Sequence, residues 1–246
     1  MNLGDYLDST YLKTDEQAQI SNIETKQNVI ALIEEAIASN FKLVMIRPEY
    51  IPVAKRFIED ATSNVLVGTV IGFHEGTNTI NQKLEEAKNA IKYNVDELDF
   101  VANYKAFISG KTELVEEEIY RGTKLALENN KIIKWIIEIA ALTDTQIVSI
   151  TQLIKGVVVD NFGIEKAPKV FVKSSTGFYK TEEGKPNGAT LEAMKLIVEN
   201  AKPLQSKAAG GVKTFGDAIK MIEIGVTRIG TSSARKIMER KLTEGY

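Results

Sequence analysis

The chain has 246 residues, 43% hydrophobic and 26% charged, which suffices to bury a full core; a length near ~250 suits one α/β barrel or two smaller domains. Its 31 basic and 33 acidic residues leave a net charge of −2, which argues against a broad basic face for nucleic acid and for small-molecule chemistry. The absence of cysteine excludes disulfides, thiolate nucleophiles and Cys-based metal sites, and a single histidine, His74, argues against a His-rich metal site or a serine–histidine triad.

The predicted elements alternate from end to end. Leu7–Leu12 reads as a weak first strand, followed by a helix with Val29, Leu32, Ile33, Ala36 and Ile37 on one face. Leu43–Ile46 is a second strand closed by Arg47-Pro48, and a short helix lies around Val53–Ala61. Val65–Ile71 is nearly all apolar, as expected of a parallel strand covered on both faces. A Thr79-x-x-Gln82 capping box opens the next helix, with Leu84, Ala87 and Ile91 on one face. Glu97–Val101 is a fourth strand carrying acids where an ordinary core strand would not, and Val115, Ile119 and Ala126 mark the helix after it. Trp135–Glu138 is the fifth strand, backed by a helix from Thr143 to about Asn161. Val170–Lys173 is the sixth, followed by a long loop at Tyr179–Asn187 and a helix from Thr190 to Asn200. Ser206–Ala209 is a short seventh strand. Thr214-x-x-Asp217 caps a helix that stops at Gly225, and Arg228–Thr231 is an eighth strand with Ser232 and Ser233 placed to cap the last helix.

Eight strand–helix units of about 30 residues account for residues 1–246 as a single (β/α)8 barrel domain, an α/β fold, with no linker that divides it. Met1–Asp5 has no basic region leading into an apolar one, and no apolar run reaches the ~20 residues of a membrane span, so a soluble, cytoplasmic protein is expected.

In such a barrel the active site lies at the C-terminal ends of the strands. Lys173 ends the sixth strand on the same face as Phe171, opposite Val170 and Val172. A lysine buried there costs several kcal/mol unless it is paired or partly neutral. Lys207 lies on the seventh strand, on a neighbouring ladder ~4.8 Å away, and Asp99 comes from the fourth. Two close ammonium groups depress one pKa, which would make Lys173 an amine nucleophile for a Schiff base, with Lys207 its electrostatic partner and Asp99 a proton shuttle or counter-ion. The alternative is that one lysine reaches to the barrel mouth and the other merely pairs with Asp99. Gly210-Gly211-Val212 and Gly230-Thr231-Ser232-Ser233 each precede a helix on the last two strands, where barrels bind phosphate. Neither is a nucleotide fingerprint.

Phe171–Phe178 resembles the Schiff-base lysine signature of the deoxyribose-phosphate aldolase family, and Lys207–Thr214 that family's second-lysine motif. Arg228–Ser233 resembles its phosphate-binding end; Asp8-Ser9-Thr10, Gly68–Phe73, Asp96–Asp99 and Ile136-Ile137-Glu138 are further matches, in order along the chain. The resemblance implies reversible cleavage of 2-deoxy-D-ribose 5-phosphate to D-glyceraldehyde 3-phosphate and acetaldehyde, with no metal or other cofactor. It implies that Lys173 forms the imine, Lys207 lowers its pKa, and Asp99 moves protons through water. Gly177, Gly210, Gly211, Gly230, Ser232 and Ser233 would hold the phosphate, with Thr10 near a substrate hydroxyl. The expected partners are a small sugar phosphate and an aldehyde, with no nucleic acid or membrane. A homodimer is allowed, although no helix face shows a self-complementary stripe.

Three positions depart from the pattern. Met45 stands where relatives have cysteine and Ile139 where threonine is frequent, so both are expected to shape the pocket; His74 stands where proline is common and reads as a surface loop residue. Lys213 reads either as a phosphate neutraliser or as a solvated residue near a helix start. Tyr246 ends the chain, read as a fraying tail or as a phenol closing over the site. Two rival readings are another Schiff-base aldolase of a sugar phosphate and a non-catalytic phosphosugar-binding barrel.

Overall fold

The computed structural model describes residues 2–243, so the expectation for Tyr246 lies outside the described residues. Eight parallel strands close in sequence order, β1 against β8, as the alternation predicts. They are β1 Leu7–Thr10, β2 Leu43–Ile46, β3 Leu66–Ile71, β4 Glu97–Val101, β5 Ile132–Ile136, β6 Val170–Lys173, β7 Gln205–Ala209 and β8 Arg228–Thr231. Around them run α1 Asp15–Ala18, α2 Asn22–Ser39, α3 Ile51–Asp60, α4 Ile80–Lys92, α5 Tyr104–Ile108, α6 Thr112–Glu128, α7 Asp144–Phe162, α8 Leu191–Ala201, α9 Phe215–Glu223 and α10 Ala234–Thr243.

Helix starts follow local chemistry. Complete capping boxes sit at Thr79/Gln82 and Thr214/Asp217, as predicted, and also at Thr14/Gln17, Ser21/Glu24 and Thr143/Gln146. The first strand ends at Thr10, two residues earlier than expected, and α1 follows on its own box. The larger correction is β5, which runs from Ile132 to Ile136, not from Trp135 to Glu138. Lys134 therefore lies inside a strand rather than before one.

Period-two alternation divides each strand between two environments. Outward residues such as Val44, Leu98, Trp135, Val170, Val172 and Ile229 pack with the helices in one large apolar cluster. Full burial of each such aliphatic side chain contributes about 1.5–3 kcal/mol. The inward residues split. On the β2–β3 side Leu43, Met45 and Val70 form an apolar wedge with Leu12. From β4 round to β1 the interior is charged: Asp8, Glu97, Asp99, Lys134, Lys173, Lys207 and Arg228 are all buried. A barrel interior is a packed core, so these groups must neutralise one another.

Candidate active site

Strand register sets the centre. Lys173 pairs directly with Lys207 across β6 and β7, so both project inward at one level. Asp99 reaches them from β4: its Oδ2 accepts from Lys173 Nζ at 2.8 Å and from Lys207 Nζ at 3.0 Å. Its Oδ1 accepts from Lys134 Nζ at 2.6 Å, and Lys134 also pairs with Glu97. Lys207 is 2.6 Å from Asp8 Oδ2. Below, Arg228 donates through Nε and Nη2 to Asp8 Oδ1 at 2.8 and 2.5 Å and forks onto Glu97 at 3.1 Å. Phe171 packs among these groups, its ring 5.9 Å from Lys134 Nζ and 6.0 Å from the Arg228 guanidinium. Both lysines thus pair with Asp99 through direct hydrogen bonds.

Charge balance favours one free amine. Within this floor Lys134, Lys207 and Arg228 match Asp8, Glu97 and Asp99, three cations to three anions, which leaves Lys173 as the surplus cation of the set. Burial pushes the Lys173 ammonium down to about 8; Asp99 opposes this and Lys207 reinforces it. Desolvation thus outweighs Lys207, which the sequence reading had made the principal cause. Burial alone would raise Asp99, but Lys134, Lys173 and Lys207 hold its carboxyl well below the usual carboxylate range. For Lys134, Asp99 and Glu97 overcome burial and raise the ammonium. Asp8, Glu97 and Arg228 fall in stretches that carry the resemblance, but neither they nor Lys134 is assigned a site role from the sequence. A lysine between Ile133 and Trp135 carries the same signal as Lys173 between Val172 and Ser174, had the strand been started early enough.

Above this floor opens a cavity of about 510 Å3. Lys173 lines it, whereas Asp99 and Lys207 lie beneath the wall. Thr10, Gly177, Gly210, Gly211, Gly230 and Ser232 also line it, as does Lys213. Ser233 is not on the wall; its amide donates to Thr231 Oγ1 and its carbonyl accepts from Ile237 at the start of α10. Gly210 and Gly211 have φ of +75° and +83°, where a side chain would be strained. Gly230 has a different reason to be small: a Cβ there would lie 3.0 Å from Lys207 Cε, so it makes room for the lysine stem. Lys13, from the segment after β1, lines the cavity and was missed.

The apolar wall is aromatic. Phe178 meets Phe73 edge-on at 5.1 Å and stacks on His74 at 5.6 Å. His74 is therefore half-buried against the wall, with Nδ1 3.2 Å from Glu75, rather than a free loop residue. Met45 packs below Leu12 and Phe178, filling the space over Gly68, where a Cβ would lie 2.6 Å from its Cε. Ile139 belongs to the outer cluster. Neither lines the cavity, so the expectation that both shape it directly gives way to support from behind.

The model of the DeoC/LacD family aldolases matches residues 9–240. The chain belongs to that family. This aldolase is 35% identical over 240 residues to the deoxyribose-phosphate aldolase of Thermococcus gammatolerans, covering 97% of this chain and 96% of the relative. It is 35% identical over 246 residues to that of Streptococcus pneumoniae serotype 19F (strain G54), covering 100% and 99%. Among solved structures, the deoxyribose phosphate aldolase of Aeropyrum pernix, described as a tetramer, superposes with a TM-score of 0.78 at 27% identity, covering 98% of this aldolase and 92% of that chain. No helix among the described residues is long and apolar enough to cross a membrane.

Proposed function

We propose that this aldolase, as one domain over residues 1–246, reversibly cleaves 2-deoxy-D-ribose 5-phosphate to D-glyceraldehyde 3-phosphate and acetaldehyde through an imine on Lys173. The observation that carries this is a buried amine pushed down to about 8, opening onto a cavity while its neighbours stay charged beneath it. The free amine adds to the C1 aldehyde, and the carbinolamine loses water to give a protonated imine. Loss of the C3 hydroxyl proton then breaks the C2–C3 bond, and the electron pair moves into the iminium to form an enamine. Protonation of the enamine at C2 and hydrolysis release acetaldehyde and restore Lys173.

Asp99, fully ionised and binding three ammonium groups, is a poor proton acceptor near neutral pH and a good counter-ion for the iminium. Its assigned role is therefore to orient Lys173 and Lys207 rather than to shuttle protons. Lys207 disfavours the charged form of Lys173. The phosphate sits against the Gly210-Gly211 turn and Ser232, with Gly177, Lys13 and Lys213 at the rim. Thr10, whose hydroxyl donates to the Asp8 carbonyl at 2.9 Å, offers its oxygen to a substrate hydroxyl. The reaction belongs to deoxyribose phosphate catabolism, and a cytoplasmic homodimer is the form we assign; sedimentation in dilute buffer separates it from a monomer or tetramer.

A coupled assay for glyceraldehyde 3-phosphate from deoxyribose 5-phosphate tests the reaction. Borohydride reduction with acetaldehyde should leave a two-carbon adduct on Lys173, and Lys173→Ala should abolish both turnover and adduct while the fold persists. An unmodified Lys173 in the wild type rejects the assignment. Binding of the sugar phosphate without release of product supports instead the non-catalytic barrel.

A further inference from the structure

Glu138 is buried, follows β5, and adopts a left-handed backbone at φ +57°, which a non-glycine residue holds only when its surroundings require it. The backbone on either side is tied to the catalytic turn: Ile137 donates to the Lys173 carbonyl and Ile139 to the Ser174 carbonyl, both at 3.0 Å. Its side chain reaches the same turn. Oε2 accepts the Thr176 amide at 3.2 Å and the Thr176 hydroxyl, and Thr176 Oγ1 accepts the Phe178 amide at 3.0 Å. Oε1 is buried with no hydrogen-bond partner among the described residues. Thr176, Gly177 and Phe178 form the cavity wall beside Lys173, and Phe178 carries the stack with Phe73 and His74. On the far side Ser174 is already fixed to β7, its hydroxyl bonded to the Ala209 amide and carbonyl at 3.0 and 3.1 Å. Glu138 is thus the anchor on the β5 side.

We propose that Glu138 is a positioning residue for the reaction: as a carboxylate it holds Thr176, and through it Phe178, so that the cavity wall stands at a fixed height over Lys173. The inference rests on the aldolase reading above. A carboxylate is the better acceptor for two donors, and a proton on it weakens the anchor. Burial pushes the Glu138 carboxyl up to about 7, with the Thr176 hydrogen bonds and Lys173 opposing and Glu75 reinforcing. The groups acting on it are thus Lys173 on β6, Thr176 in the turn, and Glu75 after β3, with the Tyr104 phenol of α5 also coupled to it. The wall locks as pH rises through about 7, just below the range in which Lys173 becomes free.

The test is the pH dependence of kcat and KM for deoxyribose 5-phosphate in wild type, Glu138→Gln, Glu138→Ala and Thr176→Val. In the wild type two groups must lose protons, so log kcat/KM falls with a slope approaching about two on the acid side. Glu138→Gln keeps an acceptor but does not titrate: the slope falls to about one, with kcat lowered about threefold at pH 8. Glu138→Ala loses both bonds to Thr176, so kcat falls about tenfold or more and KM rises. Thr176→Val gives a similar loss, and combining it with Glu138→Ala adds little. A merely structural carboxylate would give wild type and Glu138→Gln the same slope. Should Glu138→Ala fail to fold, Glu138→Gln and Thr176→Val decide alone. An unchanged slope with both constants within about twofold of wild type overturns the inference and leaves the aldolase reading intact. A wild type that neither cleaves the sugar phosphate nor traps acetaldehyde overturns both.

Discussion

At the scale of single residues, the reactive amine results from opposing effects, of which burial is the largest. Burial disfavours the Lys173 ammonium, Asp99 favours it, and Lys207 disfavours it again. Removing Lys207 leaves Asp99 shared between Lys134 and Lys173, so the proton on Lys173 is held more tightly. Lys207→Leu should therefore move the acid limb of imine formation up by about one pH unit, read from the pH dependence of acetaldehyde trapping. An unmoved limb would exclude Lys207 from this role. Lys173 was legible in the sequence as a charge ending an apolar strand, and Lys207 and Asp99 as charges on other strands of the barrel whose motifs carry the resemblance. Asp8, Lys134 and Arg228 were not: Asp8 and Arg228 lie near the starts of their strands, away from the C-terminal ends where the site is expected, and Lys134 precedes the expected start of its strand. Only the closed barrel shows that these charges neutralise one another. Glu138 was quoted as part of a resemblance but given no task, since its contacts span 38 residues of sequence to Thr176.

At the scale of elements, the strand–helix alternation and the helix caps were open to local reading because each cap is complete within four residues. The long segment between β6 and α8 was not. It reads as a loose loop, yet it lies over the end of β7: the Ala189 amide donates to the Ala209 and Gly210 carbonyls at 3.1 and 2.9 Å, and Asn187 reaches the Gly177 carbonyl at 3.3 Å. Gly188 makes this crossing possible, because a Cβ there would lie 2.4 Å from the Gly210 carbonyl carbon, which is backbone and cannot swing aside. Gly188→Ala should displace the Gly210-Gly211 turn and raise KM for the phosphorylated substrate about tenfold or more, with far less effect on acetaldehyde trapping at Lys173. Equal loss in both measurements would mean that the segment supports the whole site rather than its phosphate side.

At the scale of the molecule, the barrel separates two kinds of electrostatics. The floor beneath Lys173 is enclosed by the strands, whereas Lys213 at the cavity rim is exposed. Mobile ions screen exposed charges strongly, with a Debye length of ~8 Å at 0.15 M, and buried ones far less. Raising salt from 0.05 to 0.5 M (about tenfold) should raise KM for the sugar phosphate while the acid limb set by Lys173 stays in place, as full pH profiles at each salt would show. A limb that moves with salt would mean that the floor is open to water.

The floor also ties reactivity to the completion of the chain. Lys207 meets Asp99 across 108 residues of sequence, and Arg228 meets Asp8 across 220, joining the last strand to the first. In an open chain Lys173 lacks the burial and the neighbours that lower its ammonium, and it would be protonated near neutral pH like any solvated lysine. The depressed ammonium of Lys173 is thus a property of the finished barrel and not of any local stretch of sequence.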